Sequence, residues 1–282
     1  MTRGLLCVLA VVLVGGCSGP ASPAGPSGGA VRGVPDRALA ASVAQFRSDE
    51  GTPHLRAGVV NDGHRDIRVS EATISWSGMA FSTAEPPGDP VHPGQASAFT
   101  VDQGRPRCGG PPPGRPVLVA VVDGHRRRLP LHVDQPGLLG RLRAAACAGV
   151  RLAGQATVRL RLAPATAGHG EREHLPGAVV LTRRPGSRTP VRVVDLGGSV
   201  LFELRSPRLP ATLRSGAAGL RVPVAVWSAN RCDPHSRSQS SQTFLFSVYV
   251  QVAGSAAHRV VTVPSSGEQV RLLAMLDRVC RA

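Results

Sequence analysis

Phe244-Leu245-Phe246-Ser247-Val248-Tyr249-Val250-Gln251-Val252 decides the fold. In an extended chain Phe244, Phe246, Val248, Val250 and Val252 fall on one side, and Leu245, Ser247, Tyr249 and Gln251 on the other. A period of two, carried by β-branched and aromatic residues, marks a strand with one buried face. Ala156-Thr-Val-Arg-Leu-Arg-Leu162 alternates equally well, with Ser42-Val-Ala-Gln-Phe46 as its counterpart earlier in the chain, and other short runs are spaced by turn residues. The pattern predicts an all-β protein built from β-sandwiches.

The same plan occurs twice. His54-Leu-Arg-Ala-Gly-Val-Val60, a turn at Asn61-Asp62-Gly63 and the strand Ile67 to Ile74 match His174-Leu-Pro-Gly-Ala-Val-Val180, a turn near Arg184-Pro185-Gly186 and the strands Val191 to Leu196 and Ser199 to Phe202. Ala98 to Val101 leads to Arg107-Cys108, as Val222 to Trp227 leads to Arg231-Cys232. Val117 to Val122 answers the opening stretch, and each copy adds one more strand, Arg128 to Val133 or Arg259 to Val263. Each copy then closes on a leucine-bearing segment ending in Cys147 or Cys280. Helix is expected only there, where Leu272, Leu273, Leu276 and Val279 repeat at helical spacing. The unit is longer than solenoid repeats. It reads as a duplicated domain, with a first β-sandwich over 37–150, a second over 151–282, and the boundary near 149–154.

At the N-terminus Arg3 precedes the apolar run Leu5 to Val14, too short to span a bilayer. Leu13-Val14-Gly15-Gly16-Cys17 resembles the lipobox of bacterial lipoprotein signals. The resemblance implies that 1–16 is a cleaved signal, that Cys17 receives diacylglycerol and becomes the first mature residue, and that acyl chains hold the protein on the extracytoplasmic face of the cell membrane. Residues 17–36, rich in Gly, Pro and Ser, read as a solvated tether. Cys7 leaves with the signal and Cys17 carries lipid, so Cys108, Cys147, Cys232 and Cys280 remain, an even number in an oxidising compartment. Four cysteines allow three pairings, and the duplication selects Cys108–Cys147 and Cys232–Cys280.

The formal charge is +15, all 33 basic residues are arginine, and aromatics are 3% of the chain. Codon preference in a GC-rich genome explains a chain with arginine and no lysine. The positive surface is real in either case, and fits an anionic envelope polymer, lipid headgroups or a protein partner. Without an aromatic-plus-basic platform, nucleic acid is not an expected partner. The body resembles tandem immunoglobulin-like lipoproteins exported by high-GC Gram-positive bacteria. Arg231-Cys-Asp-Pro-His235 ahead of a Phe-x-Phe-x-Val strand carries that resemblance, which implies no particular activity.

The most chemical-looking group is Cys232-Asp233-Pro234-His235, whose thiolate, carboxylate and imidazole are metal-ligand types. The expected disulfide consumes the thiol, and Asp-Pro opens turns. Asp233 and His235 therefore stand as a candidate functional loop, with a metal-binding protein as the alternative reading. His169-Gly-Glu-Arg-Glu-His174 offers two imidazoles and two carboxylates, but on a glycine-flanked loop. His174 also matches His54, which suggests a strand start. Neither Gly-x-Ser-x-Gly nor Ser-x-x-Lys occurs, and the absence of lysine removes Schiff-base chemistry. No catalytic residue, cofactor or metal site is expected, and an anchored hydrolase assembled from distant residues is the remaining alternative. Trp227 is expected in the core and Trp76 at an exposed strand end. The functional expectation is a lipid-anchored, non-catalytic binding or scaffolding protein.

Overall fold

The computed structural model describes residues 38–240 and 242–281. The expected signal, the lipidated Cys17 and the tether lie outside the described residues. The described chain is mostly β. Its first half contains β1 (Leu39–Ala44), β2 (His54–Asn61), β3 (Ile67–Ser75), β4 (Met79–Phe81), β5 (Pro90–Val91), β6 (Ala96–Pro106), β7 (Val117–Val122) and β8 (His125–Val133), then helix α1 (Leu138–Ala153). Its second half runs β9 (Ala156–Leu162), β10 (His174–Arg183), β11 (Val191–Gly197), β12 (Phe202–Arg205), β13 (Ala211–Leu213), β14 (Gly219–Ser228), helix α2 (Pro234–Gln239), β15 (Phe246–Val252), β16 (His258–Thr262) and helix α3 (Ser266–Val279).

The strand orders reveal the duplication in space. The first half is one sheet ordered β4-β6-β2-β1-β8-β7-β3-β5; the second is two sheets, β12-β14-β10-β9 and β13-β11-β15-β16. Strand for strand these are the same arrangement, with β9 in the place of β1 and β16 in the place of β8. Even an irregularity recurs. The β3–β7 register slips between Val69 and Glu71, and the β11–β15 register slips between Val193 and Asp195, the matching positions of Ile67-Arg-Val-Ser-Glu71 and Val191-Arg-Val-Val-Asp195. A bulge bends its strand and increases local twist, so β3 and β11 share a local irregularity at the same place.

Alternation builds two hydrophobic cores. In the first, Leu55, Ile67, Leu118 and Leu129 are fully buried; in the second, Leu175, Leu181, Phe202 and Phe246 are. Each side chain of this size contributes about 2 kcal/mol by leaving water. Phe246, Val248 and Val250 face inward as the alternation predicts, though the strand begins at Phe246 rather than Phe244. Helix α3 adds Leu272, Met275, Leu276 and Val279 to the second core, while Leu273 points to solvent. Its N-terminus carries a capping box in which Ser265 and Glu268 satisfy each other's backbone donors.

Helix α1 departs from expectation. It continues past Cys147 to Ala153, so the expected division at 150/151 falls inside it. The reason is composition: Arg143 to Ala153 contains good helix formers with one glycine, and a cysteine bridge does not stop a helix. Leu139 belongs to the first core and Leu152 to the second, so one rigid rod is anchored in both. The two halves belong to one compact unit. The disulfides join Cys108 to Cys147 and Cys232 to Cys280, the pairing that the duplicated plan implies. Further departures are small. The strand expected from Ser199 starts at Phe202, because Ser199 N–H donates to Phe202 O and makes a turn there. No helix among the described residues is long and apolar enough to cross a membrane.

Candidate functional site

The junction of the halves holds a cleft of about 800 Å³. Its floor is one face of α1. Arg141, Ala144, Ala145, Ala148 and Arg151 recur at helical spacings of three and four, which places them in one stripe. Alanine in the middle of that stripe leaves open the space that a leucine would fill. One wall is Glu50-Gly51-Thr52, between β1 and β2; the other is Ala256-Ala257-His258-Arg259, entering β16. The walls are tied together. Gln242 donates its amide to Arg47 O, and Arg259 Nη1 lies 3.9 Å from Glu50 Oε2. Gly51 takes φ +82° with Leu245 and Val261 against it, and a Cβ there would stand 3.2 Å from Leu245 Cδ1, so glycine answers both the turn and the close approach.

The cleft is cationic. Arg259 donates from Nε to Ser247 Oγ at 2.7 Å, which fixes its guanidinium on the rim. Arg141 donates to Pro136 O. Arg151 forms no ion pair among the described residues. His258 is half-buried beside it. Burial first, and the Arg151 charge second, hold the imidazole below its ordinary pKa. It is therefore neutral at physiological pH, with one ring nitrogen to donate and one to accept. Glu50 is the one carboxylate among the described residues of the lining.

The residues singled out from sequence lie elsewhere. Asp233 is the N-cap of α2 and Pro234 its first residue: Asp233 Oδ1 accepts Ser236 N–H at 2.7 Å, and that bond lowers the carboxyl's pKa. His235 is exposed on this six-residue helix, Cys232 is in its disulfide, and Arg237 pairs with Asp277 of α3. The loop expected at this motif is thus a capped helical turn. The group at His169–His174 also disperses. Glu173 is buried and accepts Arg278 of α3 through both oxygens, at 2.7 to 3.2 Å, and the arginine holds its carboxyl below the usual range. His169 and Glu171 face solvent, and the His174 ring stacks on Trp227 with centroids 4.2 Å apart. Among the described residues no group of three or more His, Cys, Asp and Glu side chains is placed to hold a metal ion.

Both tryptophans are partly buried: Trp227 is outside the core expected for it, and Trp76, at the strand end as expected, is covered in part. Val222, Val224 and Val226 point into the core, so Trp227, one residue out of phase, lies half-exposed on the outer face between His174 and the Arg205 guanidinium, which is 5.5 Å from its ring centroid. Trp76 is half-buried against the first core, donates Nε1–H to Gly114 O at 2.8 Å, and covers Gly78 so closely that a Cβ there would meet its ring at 2.6 Å. With Pro116, Leu138 and Leu139 it lines an apolar hollow of about 410 Å³. Sequence reasoning missed the junction cleft. Its only traces were the alanine run Ala144-Ala145-Ala146 between Arg141 and Arg151, and Ala256-Ala257-His258-Arg259 far downstream.

No family model and no curated protein matches the chain. Among solved structures it is similar to the secreted serine protease VesC from Vibrio cholerae, with 11% identity, 72% of this chain covered and a TM-score of 0.18. The match spans 46% of the protease's length, and at that score neither fold nor activity transfers.

Proposed function

We propose that this chain is a lipid-anchored protein of the cell envelope, attached through Cys17, whose two immunoglobulin-like β-sandwiches form a non-catalytic binding or scaffolding module. One observation carries the reading: the repeated strand plan is joined by a helix rooted in both cores, and the junction is a cleft lined by arginines and small side chains. Sites for ligands are common at such junctions. The two-sandwich reading is supported in the second half by paired four-stranded sheets whose inner residues share one core. The anchor reading is supported by the lipobox-like residues, the Gly/Pro/Ser stretch behind them and the two cystines, which suit an oxidising compartment.

Two experiments test it. Mass spectrometry of the native protein should find the mature chain beginning at an acylated Cys17, and Cys17→Ala should appear in the medium. Photo-crosslinking, chosen because the chain has no lysine for amine reagents, should then capture an envelope component with the anchored protein. Recovery equal to that of the Cys17→Ala control would refute the module reading.

A further inference from the structure

We propose that the junction cleft is a binding site for a phosphate ester of a polyol, held by Arg151 and Arg259 across the alanine floor of α1. The inference deepens the binding-module reading and rests on it. Charge comes first. Arg141, Arg151 and Arg259 face a space with a single carboxylate, Glu50, which Arg259 already approaches. Arg151 has no ion-pair partner among the described residues and stands at the opening with its donors unmatched by a carboxylate. A guanidinium fork matches two phosphate oxygens, and two such forks, Arg151 on the floor and Arg259 on a wall, suit a phosphate monoester or diester.

Size comes second. A bare phosphate would occupy a small part of about 800 Å³, so the bound group is larger. The rest of the lining specifies its chemistry. Gln45 and Gln103 present side-chain amides that both donate and accept, as sugar or glycerol hydroxyls require. The neutral imidazole of His258 adds one of each. Apart from that imidazole the lining has no ring among the described residues, so none of them stacks on a nucleobase. Ala144 and Ala148 supply the clearance. Such an ester can be presented by a wall polymer or soluble metabolite, or by a phospholipid headgroup, and the test separates these sources.

Calorimetry on the full mature chain would use glycerol phosphate, with glycerol alone as control. Vesicles of phosphatidylcholine with and without phosphatidylglycerol form the second arm. Saturable binding of glycerol phosphate identifies a soluble or polymer-borne ester; saturation by phosphatidylglycerol vesicles alone identifies the headgroup. In the responding arm Arg151→Gln should weaken binding by about tenfold, the loss of one charge-assisted pair. Ala148→Leu, which fills the floor without altering charge, should weaken it by at least as much. Arg192→Gln, an exposed arginine on β11, should change it by less than about twofold. Equal losses in Arg151→Gln and Arg192→Gln would show diffuse attraction to a cationic surface and overturn the proposal. So would wild-type affinity in Ala148→Leu, or no saturation in either arm. If photo-crosslinking still captures an envelope component in those cases, the module reading stands and only this cleft is refuted.

Discussion

The two halves solve the same topological problem differently. In the first, β1 pairs antiparallel with β2 and also parallel with β8, through Ala41↔Leu131, Ser42↔His132 and Val43↔Val133, so eight strands form one sheet. In the second, β9 pairs only with β10 and β16 only with β15, leaving a seam between them. The end of β9 is held instead by a side chain of α3. The buried Glu268 carboxylate accepts Leu162 N–H at 2.7 Å from the end of β9, and Ser265 N–H and Oγ–H from the start of α3. In the first half the corresponding end of β1 is held by Gln135, whose amide accepts Gln45 N–H at 3.0 Å and donates to Gln45 O at 2.8 Å. The lesson is that the end of such a strand can be held by a neutral amide where the pairing continues, or by a carboxylate where the pairing stops. Only the second solution titrates.

The largest effect that can break the comparison is loss of a cystine. The bridges close segments of similar separation, 39 and 48 residues, so chain entropy predicts nearly equal costs, about 4 kcal/mol each. Denaturant unfolding of Cys108→Ser/Cys147→Ala and Cys232→Ser/Cys280→Ala should find them within about 1 kcal/mol of one another. A far larger loss in the second half would show that the open seam depends on its bridge, because Cys280 caps the C-terminus of the helix that carries Glu268.

Next comes the helix that joins the halves. Leu139 and Leu152 are each 5% exposed, in different cores, and truncation of either to alanine should cost about 3 kcal/mol. If α1 couples the cores, each substitution lowers a single unfolding transition followed by Trp76 and Trp227 fluorescence. If the halves unfold separately, Leu139→Ala moves only the Trp76 signal and Leu152→Ala only that of Trp227.

The seam itself gives a smaller and pH-dependent effect. Burial raises the Glu268 pKa, but the bonds from Leu162 and Ser265 outweigh it and leave the carboxyl below its usual range. A folded-state pKa lowered in this way contributes stability that is fully present above the unfolded value and is lost as pH falls through the folded one. Glu268→Gln should cost about 2 kcal/mol at neutral pH, and should flatten the loss of stability on acidification. Gln135→Ala should cost about 1 kcal/mol with no change in pH slope. Urea titrations at neutral and acidic pH decide; parallel slopes for Glu268→Gln and wild type would remove the carboxylate from the account. Glu173 titrates in the same sense, so its Gln variant serves as a reference.

Much of this comparison was legible beforehand, and the reasons are physical. Period-two alternation is local, so Val248 and Val250 declare their face, and a duplicated order of turns, strands and cysteines fixes the cystine pairing. The seam is not local. Whether β1 reaches β8, or β9 reaches β16, depends on a few ångströms of sheet curvature, and no residue in Ala156–Leu162 announces the missing partner. Asp233-Pro234 signals a chain reversal and a helix start with the same two residues. The cleft joins four segments far apart in sequence, around Gln45 to Thr52, Gln103, Arg141 to Arg151 and Ala256 to Val261. Trp227 is different: its phase against Val222, Val224 and Val226 is readable in the sequence and puts it on the outer face.

That tryptophan supplies the smallest test and the most direct contrast. His54 and His174 open equivalent strands, β2 and β10, and each faces a residue on the neighbouring strand, Asp102 on β6 and Trp227 on β14. His54 Nδ1 meets Asp102 Oδ1 at 2.6 Å with both side chains close to half exposed, so solvent screens the pair and His54→Ala should cost less than about 1 kcal/mol. His174 instead lies flat on Trp227, which Arg205 flanks on its other side; the stack should be worth about 1 kcal/mol beyond area. At a pH where both imidazoles are protonated salt separates the two, because an exposed ion pair weakens as the Debye length shrinks from about 10 Å at 0.1 M salt to about 3 Å at 1 M, and a stack does not. His54→Ala should therefore approach wild-type stability as salt rises, while His174→Ala keeps its deficit and alters Trp227 emission. Equal salt dependence in both variants would mean that the π-stack in the second half adds nothing to its charges.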